Sequence, residues 1–271
     1  MTLLILGGTR DARVCAEALH AAGHALIYSV AGLMGRPEAP FEVIAGGFSS
    51  LAPERAADTS LEGLCRFIAA WRITAIADLT HPFAAKISAT AVNAAARCAI
   101  PCWRFERPVW QTQPGDDWHV VDNHDALLTT IASFQRPFFT LGQSTLHLLS
   151  RRGSHQHWLI RSAQPLPADA PAQGYDFIQA TGPFALAEEH QLLRDHAIDV
   201  VITKHSGGAA TKAKLIAARA LGLPVVMLTR PALPPATATF SDRDALAAHC
   251  IAHLSAHRSS EYKDFRHDQP R

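Results

Sequence analysis

Leu3-Leu4-Ile5-Leu6-Gly7-Gly8-Thr9-Arg10-Asp11-Ala12-Arg13 decides the reading of the fold. Four consecutive apolar residues with no polar alternation suit a strand buried on both faces. Two glycines and a threonine then make a tight turn, and an alanine-rich helix follows until Gly23. A second apolar run at 25–30 completes a βαβ unit.

Working outward, the same alternation recurs. Residues 61–71 read as a helix, 75–78 as a strand, 83–97 as a helix and 102–104 as a short strand. The composition turns polar through 111–117, which is the expected domain boundary. A second series begins with a strand at 118–121, a helix at 125–134 and a strand at 137–141 ending at Gly142. Strands at 158–161 and 177–180, a helix at 184–196 and an apolar strand at 200–203 come next. A helix over 209–221 and a strand at 225–228 close the series. Apolar strands separated by helices predict an α/β protein with two doubly wound parallel sheets, over residues 1–110 and 111–254, and a polar tail at 255–271.

Composition narrows the function. The 271 residues are 48% hydrophobic and 18% charged, enough for sizeable cores and too apolar for a disordered chain. Against 25 Lys and Arg stand 24 Asp and Glu, and a net charge of +1 argues against nucleic-acid binding, which needs a basic excess. The N-terminal apolar run stops at Gly7 with no basic segment before it, and no stretch approaches the length of a membrane span. Five cysteines at scattered positions, with no Cys-x-x-Cys, fit a reduced protein; a cytoplasmic location is expected. No symmetric interface stripe is visible, so a monomer is expected.

In open parallel sheets, ligands bind beyond the carboxyl ends of the strands. Gly7-Gly8-Thr9 lies at such an end, where small residues and free helix-start amides suit an anion. A plain βα turn explains the same residues, and Gly-x-Gly-x-x-Gly is absent. Asp78-Leu79-Thr80-His81-Pro82 ends a strand on a carboxylate, with His81 able to donate a proton or Thr80 simply to cap a helix. Arg104 and Arg107 flank Glu106 beside Trp110, a set suited to an acidic flat ligand or to an ion pair with Glu106. Lys204-His205-Ser206-Gly207-Gly208 leads to Thr211, Lys212 and Lys214, combining amides and point charges for an anion. Gly142-Gln143-Ser144 is a weaker site of the same kind. Fifteen histidines raise the question of a metal, and His249, His253 and His257 share one face of a predicted helix. With no further ligand identifiable, no metal is expected.

The ordered set of Leu6-Gly7-Gly8-Thr9 with Asp11, Asp78 through Ala84 with Ile87-Ser88, Arg104-x-Glu106-Arg107-Pro108-x-Trp110, Gly182-Pro183-Phe184, Lys204-x-Ser206-Gly207-Gly208 through Lys214, and Ala217 through Met227 with Arg230-Pro231 resembles the precorrin-6A reductase family of cobalamin biosynthesis. The resemblance spans nearly all of residues 1–231. His205 replaces an expected asparagine, and Gln143 a common basic residue. It implies two Rossmann-like domains with an interdomain cleft, NADPH or NADH as cofactor, and reduction of one double bond of a polycarboxylate macrocycle, metal-free or cobalt-bound.

On that resemblance the cofactor is expected at Gly7, Gly8, Thr9, Thr80, Gly142, Ser206, Gly207, Gly208, Thr211 and Lys214. Substrate carboxylates are expected at Lys86, Arg104, Arg107 and Lys204, and His81 or Asp78 would donate a proton. A cofactor-independent tetrapyrrole synthase or a non-catalytic tetrapyrrole-binding protein fits the same two-domain pattern and stays open at this point.

Overall fold

The computed structural model describes residues 1–32 and 35–267, with side chains placed as far as residue 256. The chain divides into two units, one of Met1–Arg107 with Pro231–Arg271 and one of Pro108–Arg230.

The first unit contains β1 (Thr2–Leu6), α1 (Arg10–Ala21), β2 (Leu26–Val30), β3 (Glu42–Ala45), α2 (Thr59–Ala70), β4 (Ile73–Asp78), α3 (Ala85–Arg97) and β5 (Cys102–Phe105). The second contains β6 (Trp118–Val121), α4 (His124–Thr130), β7 (Pro137–Phe139), β8 (Trp158–Ser162), β9 (Tyr175–Gln179), α5 (Leu186–Asp195), β10 (Val200–Lys204), α6 (Ala213–Ala220) and β11 (Val225–Leu228). The chain then returns to the first unit for β12 (Ala238–Phe240) and α7 (Arg243–His267).

Each unit holds a six-stranded sheet with parallel pairings throughout. The first runs β3-β2-β1-β4-β5-β12, the doubly wound order that reverses direction between β1 and β4. Alternation along β1 sends Leu3 and Ile5 to a core beneath α1 and α7, and Leu4 and Leu6 to a core beneath α2 and α3. That two-sided burial is why the opening run carries no polar residue. The second sheet runs β9-β8-β7-β10-β11-β6 and reverses between β7 and β10. Phe138, Leu159, Val201 and Met227 pack with Leu193 of α5 and Leu215 of α6, while Phe139, Ile160 and Ile202 between them are also buried.

Side-chain caps start α1, α2 and α4, whereas α3 begins at Ala85 behind Ala84 with no side-chain cap, so Thr80 does not cap it, and α6 begins at Ala213 rather than at 209. The Thr9 side chain accepts from the Ala12 amide, Asp58 from Ser60 and Leu61, and Asn123 from Ala126. Gly23, at φ +76°, follows the end of α1 in the left-handed conformation that closes its last turn.

The domain boundaries need correction. The crossing falls after Arg107 rather than after residue 110, and Trp110 joins the core of the second unit. Residues 231–254 leave the second domain: β12 pairs with β5, and Leu246, Ala247, Cys250 and Leu254 cover the face that α1 leaves bare. The tail read at 255–271 continues α7 as far as His267, and 268–271 lie outside the described residues. The sequence reading also passed over β3, β12 and a 3-10 helix at Gly142–Arg151.

Candidate functional site

Chain reversal leaves a gap between diverging connections at the carboxyl edge of each sheet, and the sequence-derived loops fall at these two edges. In the first unit, β1 ends in Gly7-Gly8-Thr9 and β4 in Asp78-Leu79-Thr80-His81. The Thr9 hydroxyl donates to the Leu79 carbonyl at 2.8 Å and so ties the two loops together. Gly7 lies against the ring of Tyr28, which a Cβ would strike. Its amide donates to the Ser29 carbonyl and that of Gly8 to the Tyr28 hydroxyl at 3.0 Å. Gly8 has φ +93° and open space where a Cβ would stand. The backbone is therefore approachable at Gly8, in front of the α1 first turn, whose amides lack intrahelical acceptors.

Asp78 is 2% exposed, and both of its oxygens are engaged. One accepts from the Thr80 amide at 3.2 Å and the Thr80 hydroxyl at 2.7 Å; the other accepts from Arg104 Nε at 3.3 Å. At the position expected of a proton donor, Asp78 thus ties the Thr80 loop to Arg104 of β5. Thr80 also meets the Ser88 hydroxyl at 3.1 Å, linking the loop to α3.

The two arginines likewise have internal partners. Arg104 is buried, donates from Nη1 to the Pro234 carbonyl at 2.9 Å and lies 3.8 Å from Glu106. Arg107 pairs with Asp11 at 2.7 Å. Of the two readings the sequence left open, the ion pair with Glu106 is met by Arg104, and both arginines have partners within the unit. Lys86 is exposed in the first turn of α3. His81 Nδ1 accepts from the Phe83 amide at 3.2 Å, a contact that suits a ring carrying its hydrogen on Nε2.

In the second unit, the Gly142 turn follows β7 and the 204–208 turn follows β10. Gly142 has φ +76° with only the Ser162 hydroxyl near its missing Cβ. Gly207, at φ +72°, packs where a Cβ would collide with the Pro108 carbonyl, so this glycine serves close packing. Ser206 is buried, Gly208 precedes a single 3-10 turn at Ala209–Thr211, and the Arg230 guanidinium holds the His205 and Ser206 carbonyls at 2.9 and 3.2 Å.

Two of the three lysines, Lys204 and Lys214, turn to backbone carbonyls rather than standing as open point charges. Lys204 donates to the Leu141 carbonyl at 2.9 Å, and burial lowers its pKa. Lys214 is 4% exposed, donates to the Thr211 carbonyl at 2.8 Å and lies 5.5 Å over the Trp110 ring. Burial, with Arg161 reinforcing it and Glu189 opposing, brings its pKa down to about 7.

Sequence reasoning missed three residues. Tyr28 shapes the glycine turn, and Arg161 forms a buried two-pronged ion pair with Glu189 while its guanidinium sits 3.7 Å from the Phe184 ring centre. An arginine inside the otherwise apolar 158–161 run was the available signal. His249 and His253 contact Trp103 edge-on, each with ring centres 4.8 Å away. The His257 side chain lies outside the described residues. Among the described residues no three His, Cys, Asp or Glu side chains cluster as metal ligands would, and no helix is long and apolar enough to cross a membrane.

Comparison with known proteins is consistent across sequence and structure. The family model "Precorrin-6x reductase CbiJ/CobK" matches residues 2–251. A precorrin-6A reductase of Rhodococcus erythropolis is 41% identical over 245 residues, covering 89% of this chain and 93% of that protein. One of Rhodobacter capsulatus is 38% identical, covering 86% and 89%. The solved structure of "CobK precorrin-6A reductase" superposes with a TM-score of 0.82 at 34% identity, covering 93% of this chain and 97% of that one.

Proposed function

The chain belongs to the precorrin-6x reductase family, and on that premise we propose that it reduces one double bond of metal-free precorrin-6A with NADPH in cobalamin biosynthesis. The fold and the family make it an oxidoreductase acting on a CH–CH group. Identities of 41% and 38% to proteins named precorrin-6A reductase, against 28% to those named cobalt-precorrin-6A reductase, favour the metal-free macrocycle.

The observation that carries the cofactor reading is the open Gly8 turn at the sheet reversal in front of α1. A glycine with no atom in its Cβ space lets backbone reach a pyrophosphate. The end of β2 favours NADPH over NADH: Ser29-Val30-Ala31 offers no carboxylate for a ribose diol, and Arg36 follows on the same connection, 3.2 Å from Glu42. Bound nicotinamide would supply the hydride; what this chain supplies is placement and a proton.

The open backbone at Gly8 admits the pyrophosphate to the first amides of α1, while Thr9, tied to Leu79 and Ala12, holds the turn in place. Thr80, braced by Asp78 and Ser88, orients the loop that carries His81. Lys86 meets a substrate carboxylate. Gly142 with Gly207 and Gly208 offers backbone amides to further anions, the Ser206 amide being held by the Lys204 carbonyl. His81 gives the proton as imidazolium, which requires its Nδ1 to leave the Phe83 amide, because two N–H groups cannot share that contact. Arg104, Arg107, Lys204 and Lys214 support these loops from within.

The test is a titration with NADPH and NADH followed by tryptophan fluorescence, then NADPH oxidation with precorrin-6A and with its cobalt complex. Tighter NADPH binding and turnover of the metal-free substrate are expected. Binding of neither nucleotide would leave the tetrapyrrole-binding alternative.

A further inference from the structure

Tyr28 meets the opening turn twice. It lies on β2, directly beside β1, and its ring stands where Gly7 lacks a side chain: a Cβ there would fall 2.4 Å from two ring carbons. Phe41 packs against the same ring, with centres 5.9 Å apart. The Tyr28 hydroxyl accepts from the Gly8 amide at 3.0 Å, next to the open Cβ space of that glycine. The Gly7 amide is committed to the Ser29 carbonyl and the Gly8 amide to Tyr28, so neither glycine keeps a free donor for an anion. A phenol hydroxyl both accepts and donates. Its oxygen takes the Gly8 hydrogen, while its own hydrogen meets no acceptor among the described residues.

We propose that the Tyr28 hydroxyl is a further cofactor-binding group, which passes the hydrogen bond of the Gly8 amide on to a pyrophosphate oxygen of the dinucleotide. The inference rests on the reductase reading and on its nucleotide site at Gly8. In a chain from N–H to O–H to phosphate every donor points the same way, and each link polarises the next. The donor is also fixed in advance. Its oxygen is anchored by Gly8 and its ring by Gly7 and Phe41, so little side-chain freedom is lost when the nucleotide arrives. Burial raises the Tyr28 pKa above the ordinary tyrosine value, with the Gly8 amide opposing, so the hydroxyl keeps its hydrogen at neutral pH.

Tyr28→Phe keeps the ring against Gly7 and Phe41 and removes only the hydroxyl. Wild type and variant, each as the full chain, are titrated by tryptophan fluorescence with NADPH and with adenosine 2′-monophosphate, which has no pyrophosphate. The NADPH dissociation constant is expected to rise about tenfold in the variant, with the affinity for adenosine 2′-monophosphate and the urea midpoint held. In turnover of precorrin-6A the loss should fall on KM for NADPH rather than on kcat. Equal or tighter NADPH binding by the variant would overturn the proposal. So would a parallel loss for adenosine 2′-monophosphate or a lowered urea midpoint, which a merely structural tyrosine predicts. If wild type binds no nucleotide, the reductase reading falls as well; if wild type binds NADPH and the variant binds it equally, this inference alone falls.

Discussion

Arg104 Nε lies 3.3 Å from Asp78 Oδ2, and the two residues are register partners on adjacent parallel strands, at 4% and 2% exposure. The pair fixes the loop that carries Thr80 and His81 from below. Neither charge has water to fall back on, so each depends on the other.

Removing one partner should therefore cost far more than a surface ion pair. Arg104→Leu strands a buried carboxylate and is expected to lower stability by about 3–5 kcal/mol, whereas Arg13→Leu, from an exposed pair with Glu17, should cost below about 1 kcal/mol. Urea unfolding of both variants checks this.

His81→Asn separates chemistry from structure. The asparagine oxygen can accept from the Phe83 amide as His81 Nδ1 does, so the turn should persist. Turnover is expected to fall by roughly 100-fold or more if the imidazole transfers a proton, with the NADPH dissociation constant unchanged. Near-wild-type kcat would remove His81 from the chemistry.

Lys214 should make stability depend on pH. Its folded pKa of about 7 lies below the ordinary lysine value of 10.5, so between these values the unfolded chain binds a proton that the folded chain does not. Stability then rises with pH across that window, by an amount on the order of a few kcal/mol. Below pH 7 the burial penalty of the charged amine is fully present. Lys214→Met should flatten the rise between pH 7 and 10 in urea midpoints, and an unchanged slope would count against it.

Two of the positive-φ glycines at the sheet reversals, Gly8 and Gly207, should respond differently. Gly207→Ala adds a collision with the Pro108 carbonyl to the left-handed strain and should destabilise the protein by more than about 1 kcal/mol. Gly8→Ala meets no atom, so only the strain term applies to folding, of about 1 kcal/mol. Its larger effect is expected on NADPH affinity, read by fluorescence titration.

Much of the fold was legible because its signals are local. Two-sided burial left the β1 run apolar, Thr9, Asp58 and Asn123 capped their helices with their own side chains, and the two glycine turns fell where the strands end. The candidate loops were legible for the same reason, since they follow the strand ends. What their side chains do was not. The lysine at 214 reads as a free cation in sequence, and only the packing of Trp110 and the Arg161–Glu189 pair around it makes it a buried, weakly basic amine.

By itself the sequence determined the α/β class, the repeating βα units, the loops at the carboxyl ends of the strands and the family. Tertiary structure alone decided the strand order, the return of β12 and α7 to the first sheet, and which charges are consumed as partners. The physical reason is range. Periodicity, caps and turns depend on residues a few positions apart, whereas the partner of Asp78 stands 26 residues away and that of β5 lies beyond an entire second domain.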